Sequence, residues 1–150
     1  MKRHNISYGK EADRAMRSWI DLVRVFTAIR AKEKTYIESN ELTVQQFGVL
    51  EALYHLGDLT VGELTKLVLS TPGNMTVVIS NLNEKGRIVL EKDSKDKRVT
   101  NVRITDDGKN IIKDMFQKHA DNHAGYFSCL DEDEQNTLQE LLRKLYKSNK

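Results

Sequence analysis

Apolar side chains recur at three- and four-residue steps from about Lys10 to Lys34: Ala12, Ala15, Met16, Trp19, Ile20, Leu22, Val23, Phe26 and Ile29. That spacing predicts a single long amphipathic helix. At ~1.5 Å per residue it spans roughly 40 Å, long for so small a domain, so part of its stripe needs a partner outside its own fold. Four more helices are announced by their starts. Thr43-Val-Gln-Gln46 and Thr60-Val-Gly-Glu63 read as capping boxes, and Asp131-Glu-Asp-Glu134 as the aspartate version. Thr105-Asp-Asp107 supplies an N-cap with acids in the first turn. Behind these caps lie the stripes Phe47/Leu50/Leu53/Tyr54, Leu64/Leu67/Val68, Ile111/Ile112/Met115/Phe116 and Leu138/Leu141/Leu142/Leu145.

Between 87 and 104 the pattern changes. Ile88-Val-Leu90 and Val99-Thr-Asn-Val-Arg-Ile104 read as two strands around the polar loop Asp93-Ser-Lys-Asp-Lys-Arg98, a hairpin whose tip projects. The predicted order is four helices, a hairpin and two helices, with no linker or repeat, so 1–150 reads as a single mainly α domain.

The stretch 60–85 carries the most specific signal. A short helix meets a break at Leu69-Ser70, and a second helix starts with Thr71 as cap and Pro72 in the first turn, where its missing N–H costs nothing. On this second helix Met75, Val78, Ile79 and Leu82 fall on one side, and Gly73, Thr76, Val77, Ser80, Asn81 and Glu84 on the other. Two helices around so short a turn make a helix-turn-helix, whose second helix reads the major groove. Small hydroxyls and amides reach base edges, the methyls of Thr76 or Val77 touch thymine, and Gly73 permits close approach to phosphate. Many helix pairs carry such residues merely as solvated surface. The hairpin tips the balance, because Lys92, Lys95, Lys97 and Arg98 gather at its tip with Arg87 and Arg103 on its strands. A basic hairpin beside a recognition helix is a wing that straddles the backbone and probes the minor groove. Arg98 is its natural probe, and Asp96 is placed to orient it. The candidate DNA-binding residues are Ser70, Thr71, Gly73, Asn74, Thr76, Val77, Ser80, Asn81, Lys95, Lys97 and Arg98.

Charge supports a localised anionic partner. The net charge is only +2, yet residues 1–34 carry nine Lys/Arg against four Asp/Glu, 35–65 five acids and no base, and 66–103 eight bases against four acids. The single cysteine, Cys129, excludes an internal disulfide or a cysteine-only zinc site and suits a reducing cytosol. No run is long and apolar enough for a membrane span, and the N-terminus has no secretory pattern, so a cytoplasmic protein is expected. No phosphate loop, nucleophile elbow or H-E-x-x-H motif is present, and no enzyme is expected.

The run Leu69-Ser-Thr-Pro-Gly-Asn-Met-Thr-Val-Val-Ile-Ser-Asn-Leu-Asn-Glu-Lys-Gly86, with Asp96-Lys-Arg98 and Val102-Arg-Ile-Thr-Asp-Asp-Gly108, resembles the MarR family of bacterial transcriptional regulators. Element order agrees over the whole chain. Pro72-Gly73 falls where the family varies, and Lys97 stands where arginine is common. The resemblance implies a winged helix-turn-helix homodimer, usually a repressor, on a pseudo-palindromic double-stranded operator. It also implies dimerisation through the helices at about 10–34 and 105–148, around a winged unit at about 43–104 with its recognition helix at 71–85 and its wing at 87–104. The alternative for the same fold is a protein–protein interaction module without sequence-specific DNA binding.

Members of the family often release DNA when a small phenolic or similar effector enters a cleft between the two regions. Trp19, Phe26, Tyr36, Phe47, Tyr54 and His55 are candidates for such a lining, with plain core the expected role. Cys129 is expected to be a small buried hydrophobe, with thiol sensing the open alternative beside a helix start. His119 and His123, four apart on a helix, can face one metal. A zinc-responsive branch of the family completes such a pair with acidic and histidine ligands before the second helix. Gln45-Gln46 stand there instead, so neither a metal nor a cofactor is expected.

Overall fold

The computed structural model describes residues 6–94 and 96–150. Its elements are α1 (Lys10–Glu38), α2 (Val44–Leu56), β1 (Leu59–Thr60), α3 (Val61–Leu67), α4 (Pro72–Glu84), β2 (Ile88–Lys92), β3 (Thr100–Ile104), α5 (Asp106–Tyr126) and α6 (Glu132–Ser148). The fold is mainly helical with a small antiparallel sheet in the order β1-β3-β2.

The helix starts are built as their sequences dictate. Thr43 with Gln46, Thr60 with Glu63 and Asp131 with Glu134 each form a reciprocal capping box, and Thr105 accepts from the Gly108 N–H. Each cap satisfies backbone donors that the first helical turn leaves free. The break between α3 and α4 places Leu69 in the left-handed region (φ 52°), with its side chain almost fully exposed. Thr71 then caps α4 from an extended conformation, with Pro72 at the first helical position.

One core joins α2 to α5 through the winged unit. Leu50 and Leu53 of α2, Leu64 of α3, Met75 and Leu82 of α4, Ile88 and Val102 of the sheet, and Ile112 of α5 are all essentially inaccessible. The buried side of α4 is Met75, Val78, Ile79 and Leu82. β2 and β3 pair in register from Ile88↔Ile104 to Lys92↔Thr100. β1 is an addition to the expected elements: Leu59 and Thr60 pair with Val102 and Asn101, so Thr60 both ends a strand and caps a helix.

Several expected burials do not occur. Leu67 and Tyr54 lie on the exposed sides of their helices, and Trp19 and Phe26 are 65% and 64% exposed, so neither is core. α6 buries none of its residues, its leucines included, and α1 buries only Ile37. The physical reason is shared: the stripes of α1 and α6 lie outside the core cluster and line an open groove between the two helices. Cys129 is exposed, contrary to the buried role expected of it, because it sits in the turn between α5 and α6 outside any packed layer.

Gly108 fixes the junction of wing and α5. A Cβ there would collide with the Arg87 carbonyl oxygen and approach Ile104 Cγ1 to 2.8 Å. That carbonyl already accepts from the Thr105 N–H at 3.1 Å, so it has little freedom to retreat. Gly108→Ala is expected to destabilise the fold by about 1–3 kcal/mol through overpacking. Urea unfolding followed by circular dichroism at fixed protein concentration measures it; a wild-type midpoint would show that the junction gives way freely.

Candidate nucleic-acid interface

The outward side of α4 is assembled by the cap that starts it. Thr71 Oγ1 accepts from the Asn74 N–H at 3.3 Å, and the Asn74 amide donates to Ser70 Oγ at 2.9 Å. Thr71, Gly73, Asn74, Thr76, Val77, Ser80 and Asn81 are exposed and Ser70 is half-buried. Thr76 donates to the Pro72 carbonyl at 3.0 Å and Ser80 to Glu84 Oε1 at 2.9 Å. Both hydroxyl oxygens keep acceptor capacity towards a ligand.

The wing tip is held by its own acids. Asp93 Oδ1 accepts from the Asp96 N–H at 2.9 Å, and the Asp93 N–H donates to the Val99 carbonyl. Asp96 takes both edges of the Arg98 guanidinium, Nε to Oδ1 at 3.0 Å and Nη2 to Oδ2 at 2.9 Å, and also accepts from the Arg98 N–H. The Arg98 side chain is nonetheless 90% exposed. The guanidinium holds the Asp96 carboxyl below its usual range, and the carboxylate raises Arg98 in return. A bidentate pair limits the rotamers of a long side chain while leaving its outer edge available.

The other wing cations divide. Lys97 is exposed, Lys92 Nζ donates to Thr100 Oγ1 at 2.9 Å, and Lys95 lies outside the described residues. Arg103 is tied to Asp58 at 2.8 Å and Glu91 at 3.4 Å, and these partners raise its pKa. Arg87 precedes β2, and its Nη1 is buried without a hydrogen-bond partner. Arg103 stands on β3 as expected and Arg87 immediately before β2, and both lie away from the cationic tip.

Between α4 and the wing runs a groove of about 660 Å³ lined by Thr76, Ile79, Ser80 and Asn83 on one side and Leu90, Arg98, Val99 and Thr100 on the other. Thr60, Val61 and Gly62 at the start of α3 close one wall. Thr76, Ser80 and Arg98 thus share one concave surface, while Val77 and Asn81 stand on the adjacent exposed side of α4. Asn83 is not among the residues that the sequence pattern singles out, although it stands two turns after Thr76 on the same helix face. Nor is the start of α3, because only the fold brings it beside the wing.

Comparison with known proteins agrees with this geometry. The profile of the MarR family matches residues 40–99. The uncharacterised helix-turn-helix transcriptional regulator YkoM of Bacillus subtilis (strain 168) is 33% identical over 135 residues, 90% of this chain and 88% of YkoM. The chain belongs to the MarR family of helix-turn-helix transcriptional regulators. MhqR, a helix-turn-helix transcriptional regulator of the same strain, is 29% identical over 133 residues, 89% of this chain and 92% of MhqR. The crystal structure of a cysteine-to-serine mutant of E. coli MarR complexed with operator DNA superposes with a TM-score of 0.73. It is 28% identical, covering 85% of this chain and 95% of that one. The winged-helix class is thereby shown for this MarR-family chain. Among the described residues no helix is long and apolar enough to cross a membrane.

The Asp96–Arg98 pair makes a direct prediction. Asp96→Ala is expected to speed solvent exchange of the Arg98 Nε proton several-fold, read from its ¹H–¹⁵N cross-peak. Because Asp96 titrates below its usual range, ordering of Arg98 is complete at neutral pH and is lost only as pH falls through that depressed value. Equal exchange in variant and wild type would remove the orienting role.

Proposed function

We propose that this MarR-family chain is a homodimeric, sequence-specific DNA-binding regulator, acting as an effector-responsive repressor on a pseudo-palindromic operator. The observation that carries the reading is the groove in which Thr76 and Ser80 of α4 face Arg98 of the wing. α4 enters the major groove, where its hydroxyl, amide and methyl groups meet base edges. The tip carries Lys97 and Arg98 onto the flanking backbone and minor groove, so cationic attraction and base reading come from different elements.

Two copies related by a twofold axis would set their α4 helices about 34–36 Å apart, on half-sites one helical turn apart. The uncovered stripes of α1 and α6 support this assembly. Release by a small phenolic effector, which the family resemblance implies, belongs to the same reading and is open to screening on the same duplex.

Fluorescence-anisotropy titration of a duplex from the protein's own upstream region, against a scrambled duplex at several salt concentrations, tests the proposal. Selective binding with a steep salt dependence is expected. Arg98→Ala should weaken binding to both duplexes and flatten the log–log salt slope by about 0.9 for each phosphate that is no longer neutralised. Thr76→Ala and Asn81→Ala should instead change which half-site bases are preferred. An unchanged slope in Arg98→Ala would overturn the role of the wing, and weak, salt-insensitive binding to both duplexes would favour a protein-interaction module.

A further inference from the structure

Away from the DNA-facing side, α1 and α5 cross with three metal-binding side chains between them. His119 and His123 stand one turn apart on α5, and the carboxylate of Glu33 comes from α1, more than eighty residues earlier. Each offers one ligand atom, and these atoms all lie within 4.8 Å of one another. His123 Nε2 faces Glu33 Oε1 at 3.7 Å, too far for a hydrogen bond, and is buried without a hydrogen-bond partner. The His119 side chain is only 9% exposed and packs among the rings of Phe47, Phe116 and His123.

The surroundings aim these atoms at one point. Arg30 donates to Glu33 Oε2 at 2.7 Å, anchoring that oxygen and leaving Oε1 turned towards His123. Glu51 of α2 brings Oε1 to 4.0 Å from His119 Nε2, so a further carboxylate borders the cluster. Gln46, in the region expected to hold the completing ligand, instead accepts from the Thr43 N–H in the α2 capping box. The third ligand comes from α1.

We propose that Glu33, His119 and His123 form a binding site for a divalent transition-metal ion of the zinc type. Two imidazoles and one carboxylate suit zinc, cobalt(II) or nickel and leave a coordination position for water. Tetrahedral ligands at ~2.0–2.2 Å from a metal stand about 3.4 Å from one another. Rotation of the half-exposed His123 ring and of the Glu33 carboxylate supplies the closure from the observed spacing. The ion would pin the end of the long α1 arm to α5, and would satisfy the ring nitrogen that the fold otherwise buries without a partner.

The test reads the metal alone, without DNA, so its failure and failure of the regulator reading are distinguishable. Metal-free full-length protein is titrated with cobalt(II) and followed by visible absorption. One ion per chain is expected, with the intense bands of low-coordinate cobalt, displaced by zinc. Glu33→Gln and His123→Gln should each weaken binding at least tenfold while circular dichroism shows a folded chain, and Cys129→Ser should leave it unchanged. A readout without any variant is available as well. In the wild-type protein, cobalt should shift the ring protons of two of the four histidines, His119 and His123. Absence of binding at micromolar cobalt, shifts confined to other histidines, or undiminished affinity in both folded variants would overturn the proposal.

Discussion

Two apolar stripes that one chain cannot bury are the constraint on which this architecture depends. Trp19, Leu22, Val23 and Phe26 on α1 and Leu141, Leu142 and Leu145 on α6 remain exposed, although both helices are strongly patterned. The chain presents 11538 Å² to solvent, whereas a compact monomer of 17.3 kDa exposes roughly 7,800 Å². The uncovered faces of α1 and α6 contribute to that excess. α1 and α6 also share a groove of about 380 Å³ lined by Ala15, Ser18, Trp19, Leu22 and the α6 leucines. Continuous apolar surface of this kind is a place for another protein surface to dock. A second copy is the occupant under the proposed function, in which two chains form a twofold DNA reader.

The connection from that region to the DNA-facing side runs through α5. At its start, Thr105 caps the helix and donates through its hydroxyl to the Gly86 carbonyl at 2.8 Å, joining α5 to the end of α4 and the root of the wing. Further along, Ile112 and Met115 enter the core, and the Met115 carbonyl accepts from the Tyr36 hydroxyl of α1 at 2.7 Å. Glu33, His119 and His123 occupy the next turns of the same crossing. Buried packing of this density makes such a helix a rigid coupling between the exposed arm and the recognition helix.

Local chemistry made much of this legible in the sequence. Capping boxes declare themselves within four residues, and all three formed where Thr43, Thr60 and Asp131 stand. The buried side of α4 followed from helical spacing, and the Asp96–Arg98 pair from a separation of two residues. What escaped depends on distant partners. β1 has only two residues and no period of its own, so its pairing with Val102 and Asn101 exists only once the wing is in place. Arg103 read simply as a basic residue on a strand of the wing, because Asp58, which pairs with it, lies forty-five residues away. Glu33 gave no sign that it would meet His119 and His123. The α1 stripe read as one that needs a partner outside its own fold, and in the single chain the stripes of α1 and α6 are exposed.

Sedimentation velocity of the purified protein from nanomolar to micromolar concentration reads whether a second copy covers the two stripes. A species of about twice the 17.3 kDa chain mass is expected throughout the concentrations at which DNA is bound, with dissociation when Leu141 and Leu145 are both replaced by glutamate. A wild-type monomer over that range, or a variant dimer as tight as the wild type, would contradict it.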